Sequence, residues 1–520
     1  MRKVRGFLLL SLLTFWPVFA FAQALSVVRG DCTPLPAGDG GAGSRGVSRP
    51  ARLTPMTHWD PSKTYRQMVV LIEFKGDSTY FSMEDPHTFY DNLFNTPGFH
   101  QREGKGCVAD YFRDQSLGMF NLQCDVYGPY QLDRKAQPNA SPTSSTRNYG
   151  REAMSDAIRL LLEQNPTVDY SQYDWNGNGS VEQVIFVFAG MGGNASGQDC
   201  YGYLWPNTSS FSAITTPDGI RISNYSASAE RWNKTLLCGI GTICHEYTHS
   251  LGLPDIYPTS SSGGYSVADE WDLMDGGNFT NYGWCPPNYT VLERMLMGWL
   301  TPTELTEPAT IVDLKPLESG GQAYIIKHTD TEYLLLENRQ WSGWDAGLPG
   351  RGLVVYHVDY LQSAWTGNTV NNVKSRRRFA LVNADNRDYD AWDAYIQKAS
   401  LGTYAASGHM NNRHLSASAY PWTEGEQTLD SLTDHSVPAT AMHAKNAADT
   451  TLLSKPITRI RVSDDGLVSF DFMGGDPTGI RSMDNSQLTI DNKVYDLQGR
   501  RVLKPRRGMY IVGGKKIVIQ

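Results

Sequence analysis

The sequence predicts an α+β fold: a mixed helix–strand half, then a mainly β region, then a short β-rich C-terminal tail. Three observations carry this expectation. Up to about Leu300, short apolar runs alternate with amphipathic segments. After Thr301 the apolar stretches become strand-like and are separated by Gly, Asp, Asn and Pro. The last part of the chain, Val494 to Lys516, is a short β-pattern with basic flanks.

The elements follow in order. Met68-Val69-Val70-Leu71-Ile72, inside Tyr65–Phe74, reads as a buried strand. Asp85–Phe94 and Val108–Asp114 read as helices. Arg151–Gln164 is a clearer helix, with Ala157, Leu160 and Leu161 on one side and Pro166 beyond its end. Val184–Ala189 is a second buried strand, expected to line a cleft and to pair with extended substrate. In the second half, Ala309–Leu314, Ala323–Lys327, Tyr333–Glu337, Leu353–Val358, Phe379–Val382 and Leu467–Phe472 are strand-like. Arg376-Arg377-Arg378 reads as a solvated turn.

Composition narrows the function. The 520 residues suggest about three domains. Lys and Arg number 46 against 54 Asp and Glu, a net charge of −8, so the basic surface of a nucleic-acid binder is missing. Aromatic residues reach 11%, ample for large cores and contrary to disorder.

The N-terminus sets the compartment. Arg2, Lys3 and Arg5 precede an apolar run from Phe7 to Ala22, and Ala20-Phe21-Ala22 has the form of a signal-peptidase site. Residues 1–22 are therefore expected to be a signal peptide, giving a secreted or cell-surface protein. No later stretch is long and apolar enough to span a bilayer. Residues 23–60, rich in Gly, Pro, Ser and Arg, read as a pro-segment or linker. Export permits disulfides among Cys107, Cys124, Cys200, Cys238, Cys244 and Cys285, leaving Cys32 odd. Cys32 is either an ordinary cysteine or a thiolate that blocks a metal site until the pro-segment is removed.

The chemistry is carried by Gly241-Thr242-Ile243-Cys244-His245-Glu246-Tyr247-Thr248-His249-Ser250-Leu251-Gly252-Leu253-Pro254-Asp255. At about 100° per residue, His245 and His249 lie about 40° apart on a helix, one turn above the other. Both imidazoles can reach one metal ion. Ile243, Tyr247 and Leu251 form an opposite stripe that can pack into a core, and Gly252 stops the helix. Two imidazoles suit zinc, and a catalytic zinc takes three protein ligands. Glu246, next to the first ligand, is placed to act as general base in peptide-bond hydrolysis. His357 and the other histidines lack such spacing and read as structural.

This stretch resembles the M6 family of secreted metallopeptidases, the immune inhibitor A type, within the zincins. Other segments share the resemblance: Asp110-Tyr111-Phe112-Arg113-Asp114-Gln115-Ser116, Trp271-Asp272-Leu273-Met274-Asp275-Gly276-Gly277, Gly343-Trp344-Asp345 and Gly352 to Asp359. It implies a zincin-type metallopeptidase catalytic domain over residues 61–300, a β-rich domain over 301–475 and a tail over 476–520. It also implies a methionine turn with Met274 beneath the metal. A metzincin would carry a histidine three residues after Gly252, where this chain has Asp255. The resemblance points to Glu270 as the third ligand, with Asp255 as the alternative. Tyr282, following the methionine turn, is a candidate transition-state stabiliser.

A second ion is expected at Asp174, Asn176, Asn178, Ser180 and Glu182, where oxygen donors alternate around glycines as in the opening of a calcium loop. A glutamate at the twelfth loop position is missing, since Ile185 stands there. The C-terminal pattern Val494 to Arg501 with Gly508 to Lys516 resembles sorting domains read by the type IX secretion system. Together these readings predict a secreted zinc endopeptidase acting on extracellular proteins. A non-catalytic adhesin on the same scaffold, or a peptidase narrow for one host or glycosylated protein, are the alternatives.

Overall fold

In this computed structural model the described residues are 54–138, 146–194, 203–260, 266–387, 415–475, 481–483, 494–496, 501–512 and 515–519. The expected signal peptide, most of the pro-segment, Cys32 and Cys200 lie outside them.

The first half is built on a five-stranded sheet. Its strands are β1 (Thr64–Phe74), β2 (Asn121–Leu132), β3 (Val184–Met191), β4 (Asn207–Thr215) and β5 (Arg221–Arg231). The order is β2-β1-β3-β5-β4; all neighbours are parallel except the antiparallel β4–β5 pair. Strand side chains alternate between faces. On β1, Val69 and Leu71 enter one core while Met68, Val70, Ile72 and Phe74 enter another. Both faces are covered, which is why this strand reads as one unbroken apolar run.

Helices α1 (Pro86–Asn95), α2 (Val108–Gln115), α3 (Thr146–Gln164) and α4 (Gly241–Ser250) cover the sheet. Helix α3 adds Ala153, Met154, Ala157, Ile158 and Leu161 to one core. Helix α4 adds Ile243, Cys244, Tyr247 and Leu251 to the other, the stripe expected from its sequence. Short α5 (Val291–Leu296) follows, capped by Thr290 and Glu293.

The second half is mainly β, as expected. One sheet contains β6 (Thr303–Glu304), β8 (Tyr324–Lys327), β9 (Glu332–Arg339), β10 (Gly352–Asp359) and β11 (Phe379–Leu381), in the order β11-β10-β9-β8-β6. A second sheet joins β7 (Ala309–Leu314) to β14 (Ile457–Val462) and β15 (Val468–Phe472), and β12 (Trp422–Glu424) pairs with β13 (Gln427–Leu429). One short helix, α6 (Gln362–Thr366), follows β10. In the tail, β16 (Arg481–Met483), β17 (Val494–Tyr495), β18 (Arg501–Val502), β19 (Gly508–Val512) and β20 (Lys515–Ile519) form a separate sheet around Val494, Val512, Ile517 and Ile519.

The core beneath α4 does not stop at Leu300. It continues into Leu335, Val354, Tyr356 and Trp344 of the β region. Polar contacts cross the same seam. Arg339 grips Asp345 through Nε and a terminal nitrogen, each at 2.6 Å, and also reaches the Asn288 carbonyl. The Trp344 indole N–H donates to Asp114 at 2.9 Å. The Gly343-Trp344-Asp345 and Asp110–Ser116 segments, distant in sequence, therefore meet.

Two expectations are corrected here. Strand β3 lies in the sheet interior, paired with β1 and β5, so its backbone has no edge to offer a peptide. The edge strands are β2 and β4. Four of the cysteines expected to be available for disulfides, Cys107, Cys124, Cys244 and Cys285, are instead free thiols. Each is buried as core packing, and burial pushes the Cys107 and Cys285 thiols up to about 12.

Candidate metal centre

Helix α4 sets the first two donors. Its N-terminus runs tight against the following segment, where a Cβ on Gly241 would lie 2.0 Å from the Asn278 carbonyl oxygen. Its C-terminus closes at Gly252, whose φ of +107° and approach to the Thr54 carbonyl exclude a side chain. The Thr54–Asp60 segment is fastened there by Met56 N–H to Leu251 O at 3.0 Å and Trp59 Nε1 to Met297 O at 2.8 Å.

His245 and His249 are both 4% exposed, with ring centroids 4.9 Å apart. His245 Nδ1 lies 2.8 Å from the Leu273 carbonyl, and His249 Nδ1 2.8 Å from the Leu253 carbonyl. A carbonyl can only accept, so each Nδ1 carries a proton, and in the neutral ring Nε2 holds the lone pair. This is the tautomer a metal ligand needs.

After Gly252 and Pro254 the chain turns back and aims Asp255 at these nitrogens. Asp255 Oδ1 lies 3.3 Å from His245 Nε2 and 3.0 Å from His249 Nε2, and its residue is fully buried. Ligands about 2.05 Å from a tetrahedral ion stand about 3.3 Å from one another, so the three donors fit zinc. Burial disfavours charge on His245, but the Asp255 bond and the neighbouring Glu246 carboxylate outweigh it, lifting the metal-free imidazole to about 8.

The structure thus brings together His245, His249 and Asp255, the alternative donor. Glu270, preferred on resemblance, is buried on a 3-10 turn over Asp269–Trp271 and is not in this converging group. The turn after Gly252 returns Asp255, rather than Glu270, to the imidazoles. Met274 is fully buried, and its turn is locked to the centre. Leu273 O receives the His245 ring, and Met274 O accepts from Ile256 N–H at 2.8 Å.

Glu246 sits beside edge strand β4. Thr208 Oγ1 of β4 lies 2.6 Å from the Glu246 carbonyl and 3.0 Å from Oε2. Three further residues escaped the sequence reading. Thr208 contacts Glu246 from another strand. Tyr257 lies nearly parallel to His245, with centroids 6.4 Å apart. Asn368, just past α6, exchanges two hydrogen bonds with Asp255. None shows a local spacing signal, since each reaches the centre through the fold. Tyr282 is held between Trp232 and the Arg102 guanidinium.

At the second expected site, the loop donors largely bond to one another. Asp174 accepts from the Asn178 and Gly179 N–H groups, Asn176 Nδ2 donates to Glu182, and Ser180 accepts from Arg221. Burial and then the Asp174 charge push the Glu182 carboxyl up to about 7.

Comparison with known proteins finds similarity over part of the chain. Residues 71–288 match the immune inhibitor A peptidase M6 catalytic domain. Over that stretch the chain is similar to M6 peptidases. Among curated M6-like relatives it is 21% identical over 252 residues to the pre-pro-metalloprotease PrtV of Vibrio cholerae serotype O1, covering 43% of this chain and 26% of that protein. It is 24% identical over 249 residues to immune inhibitor A of Bacillus thuringiensis subsp. alesti, covering 40% of this chain and 34% of that protein. The chain therefore spans about a quarter to a third of these relatives. Among the described residues, no helix is long and apolar enough to cross a membrane.

Proposed function

We propose that this chain is an exported zinc endopeptidase that hydrolyses peptide bonds of extracellular proteins. The carrying observation is the convergence of His245, His249 and Asp255 one residue from Glu246. We assign these three side chains as the zinc ligands. Zinc, when bound, supplies Lewis-acid polarisation of a carbonyl and makes water more acidic.

The chain's own residues do the rest. Glu246 accepts the proton of the attacking water as the new C–O bond forms, then delivers it to the leaving amine as the C–N bond breaks. Thr208 holds that carboxylate. Strand β4 pairs with β5 alone among the described strands, so its other edge can receive an extended peptide beside Glu246.

The apolar run ending at Ala22 supports export, and the C-terminal resemblance supports delivery by type IX-like machinery. Calcium is assigned to the Asp174–Glu182 loop, supported by the Glu182 carboxyl, which burial and then the Asp174 charge push up to about 7. The test is digestion of casein or gelatin by the processed protein. We expect cleavage that a chelator and Glu246→Ala each abolish; chelator-insensitive cleavage, or none against either substrate or a peptide library, overturns the reading.

A further inference from the structure

The geometry points to a second transition-metal site in the β region, formed by Glu332, His357, His443 and Asp359. These residues belong neither to the zinc centre of helix α4 nor to the Asp174 loop. Two carboxylates supply the anionic donors of the cluster. Glu332 opens β9 and Asp359 closes β10, and the two stand directly opposite each other in the antiparallel register. Like charges so placed repel, more so when buried, and their side chains are only 0% and 5% exposed.

Two imidazoles are aimed at this pair. His357 lies two residues before Asp359 on β10, hence on the same face. Its Nε2 is 2.8 Å from Glu332 Oε1. His443 arrives from a loop more than eighty positions further along. Its Nδ1 is 3.1 Å from Asp359 Oδ2 and 3.8 Å from Glu332 Oε1, and the two rings are 5.1 Å apart. These separations bracket the about 3.3 Å edge of a tetrahedral zinc shell, as the 3.0 and 3.3 Å separations at the α4 centre do.

The surroundings hold the donors in place. Glu332 accepts from His443 N–H at 2.6 Å and Ala444 N–H at 2.7 Å, clamping the loop that carries His443. His328 meets the Ala444 carbonyl at 3.0 Å on the same loop. Arg376 and Arg378 each reach Asp359 Oδ2, at 2.6 and 2.7 Å. The basic run expected to be a solvated turn is thus partly committed to this cluster. Two imidazoles with carboxylates suit zinc or a neighbouring first-row divalent ion. Such an ion replaces the protons that now lie between each ring and its carboxylate, and pins the 443 loop to strands β9 and β10.

The experiment counts zinc in the full processed chain by elemental analysis after equilibration with zinc and removal of the excess. We expect two strongly held equivalents in the wild type beyond any loosely bound ion. His245→Ala/His249→Ala removes one and leaves one. Adding His443→Asn to that background removes the last, while His443→Asn alone keeps one equivalent and the α4 centre. A native circular dichroism spectrum and a cooperative melt accompany each variant, and His357→Gln serves as a second probe of the same shell. Zero zinc in His245→Ala/His249→Ala, or one equivalent surviving the added His443→Asn, overturns the site. Neither result bears on the peptidase reading, which rests on the α4 centre.

Discussion

Asp255 and Asn368 are joined by a reciprocal pair of hydrogen bonds. The Asp255 N–H donates to Asn368 Oδ1 at 2.6 Å, and Asn368 Nδ2 donates to Asp255 Oδ2 at 2.7 Å. This leaves Oδ1 of Asp255 directed at the two imidazoles. Asn368 belongs to the β region and takes a left-handed φ of +53°, which asparagine tolerates. The second half of the molecule thereby orients a donor of the first.

That relationship predicts how zinc affinity divides among carboxylates. Asp255→Ala should lose the α4 zinc, and Glu270→Ala should keep it. Asn368→Ala should keep it more weakly, by about 10- to 100-fold, as for other partners behind metal ligands. Competition with a chromogenic chelator measures all three; loss of zinc only in Glu270→Ala would restore that residue as ligand.

Glu246→Gln should retain zinc and lose about 10²- to 10⁴-fold in kcat, the usual size of a general-base contribution. Thr208→Val removes the hydroxyl at Oε2 while keeping the shape of the side chain. Its cost should be about 0.5–1.5 kcal/mol, a several-fold fall in kcat with KM little changed. Steady-state kinetics on one peptide separates the two; an unaltered kcat in Thr208→Val would show that Glu246 does not depend on it.

Protons compete with the metal at the α4 centre. The metal-free His245 imidazole titrates at about 8, so below that pH a proton must leave before zinc binds. Zinc affinity should rise about tenfold per pH unit up to about 8 and flatten above it. Equilibrium dialysis across this range provides the check, and a flat profile from acid to neutral would refute it.

Glu182 predicts a pH dependence of stability. Its folded carboxyl titrates at about 7, above its ordinary 4.5, because burial and Asp174 disfavour the charge. A raised folded value means the contribution is complete below about 4.5 and is lost as pH rises through about 7. Glu182→Gln should flatten that part of the Tm-against-pH curve. Calcium should raise Tm of the wild type most above pH 7 and leave Glu182→Gln much less affected.

Much of the architecture was legible in the sequence. The Met68–Ile72 run, helix α3 and strands β7, β9, β10 and β15 carry strong local periodicity, and each forms close to where it was expected. Strand β2 was missed because Gln123, Asp125 and Tyr127 interleave with its apolar residues and Gly128-Pro129 interrupts it. Strands β4 and β5 carry Ser, Thr and Asn where a buried strand normally shows Val or Ile. The role of β3 was misjudged because an apolar run reports burial and does not report which strand lies at the edge. Cysteine count and compartment suggested disulfides, yet the spacing of Cys107, Cys124, Cys244 and Cys285 in sequence holds no information about their separation in the core.

By itself, the sequence determined that His245 and His249 share one face of a helix with Glu246 beside them, because a helical turn places residues four apart together whatever surrounds it. It also determined where that helix ends, through Gly252. Only the tertiary structure decided the approach of Asp255 to the two imidazoles, the hold of Thr208 on Glu246, and the meeting of Glu332, His357 and His443. Those depend on where distant segments return in space, and chain-distant packing leaves no periodicity to read.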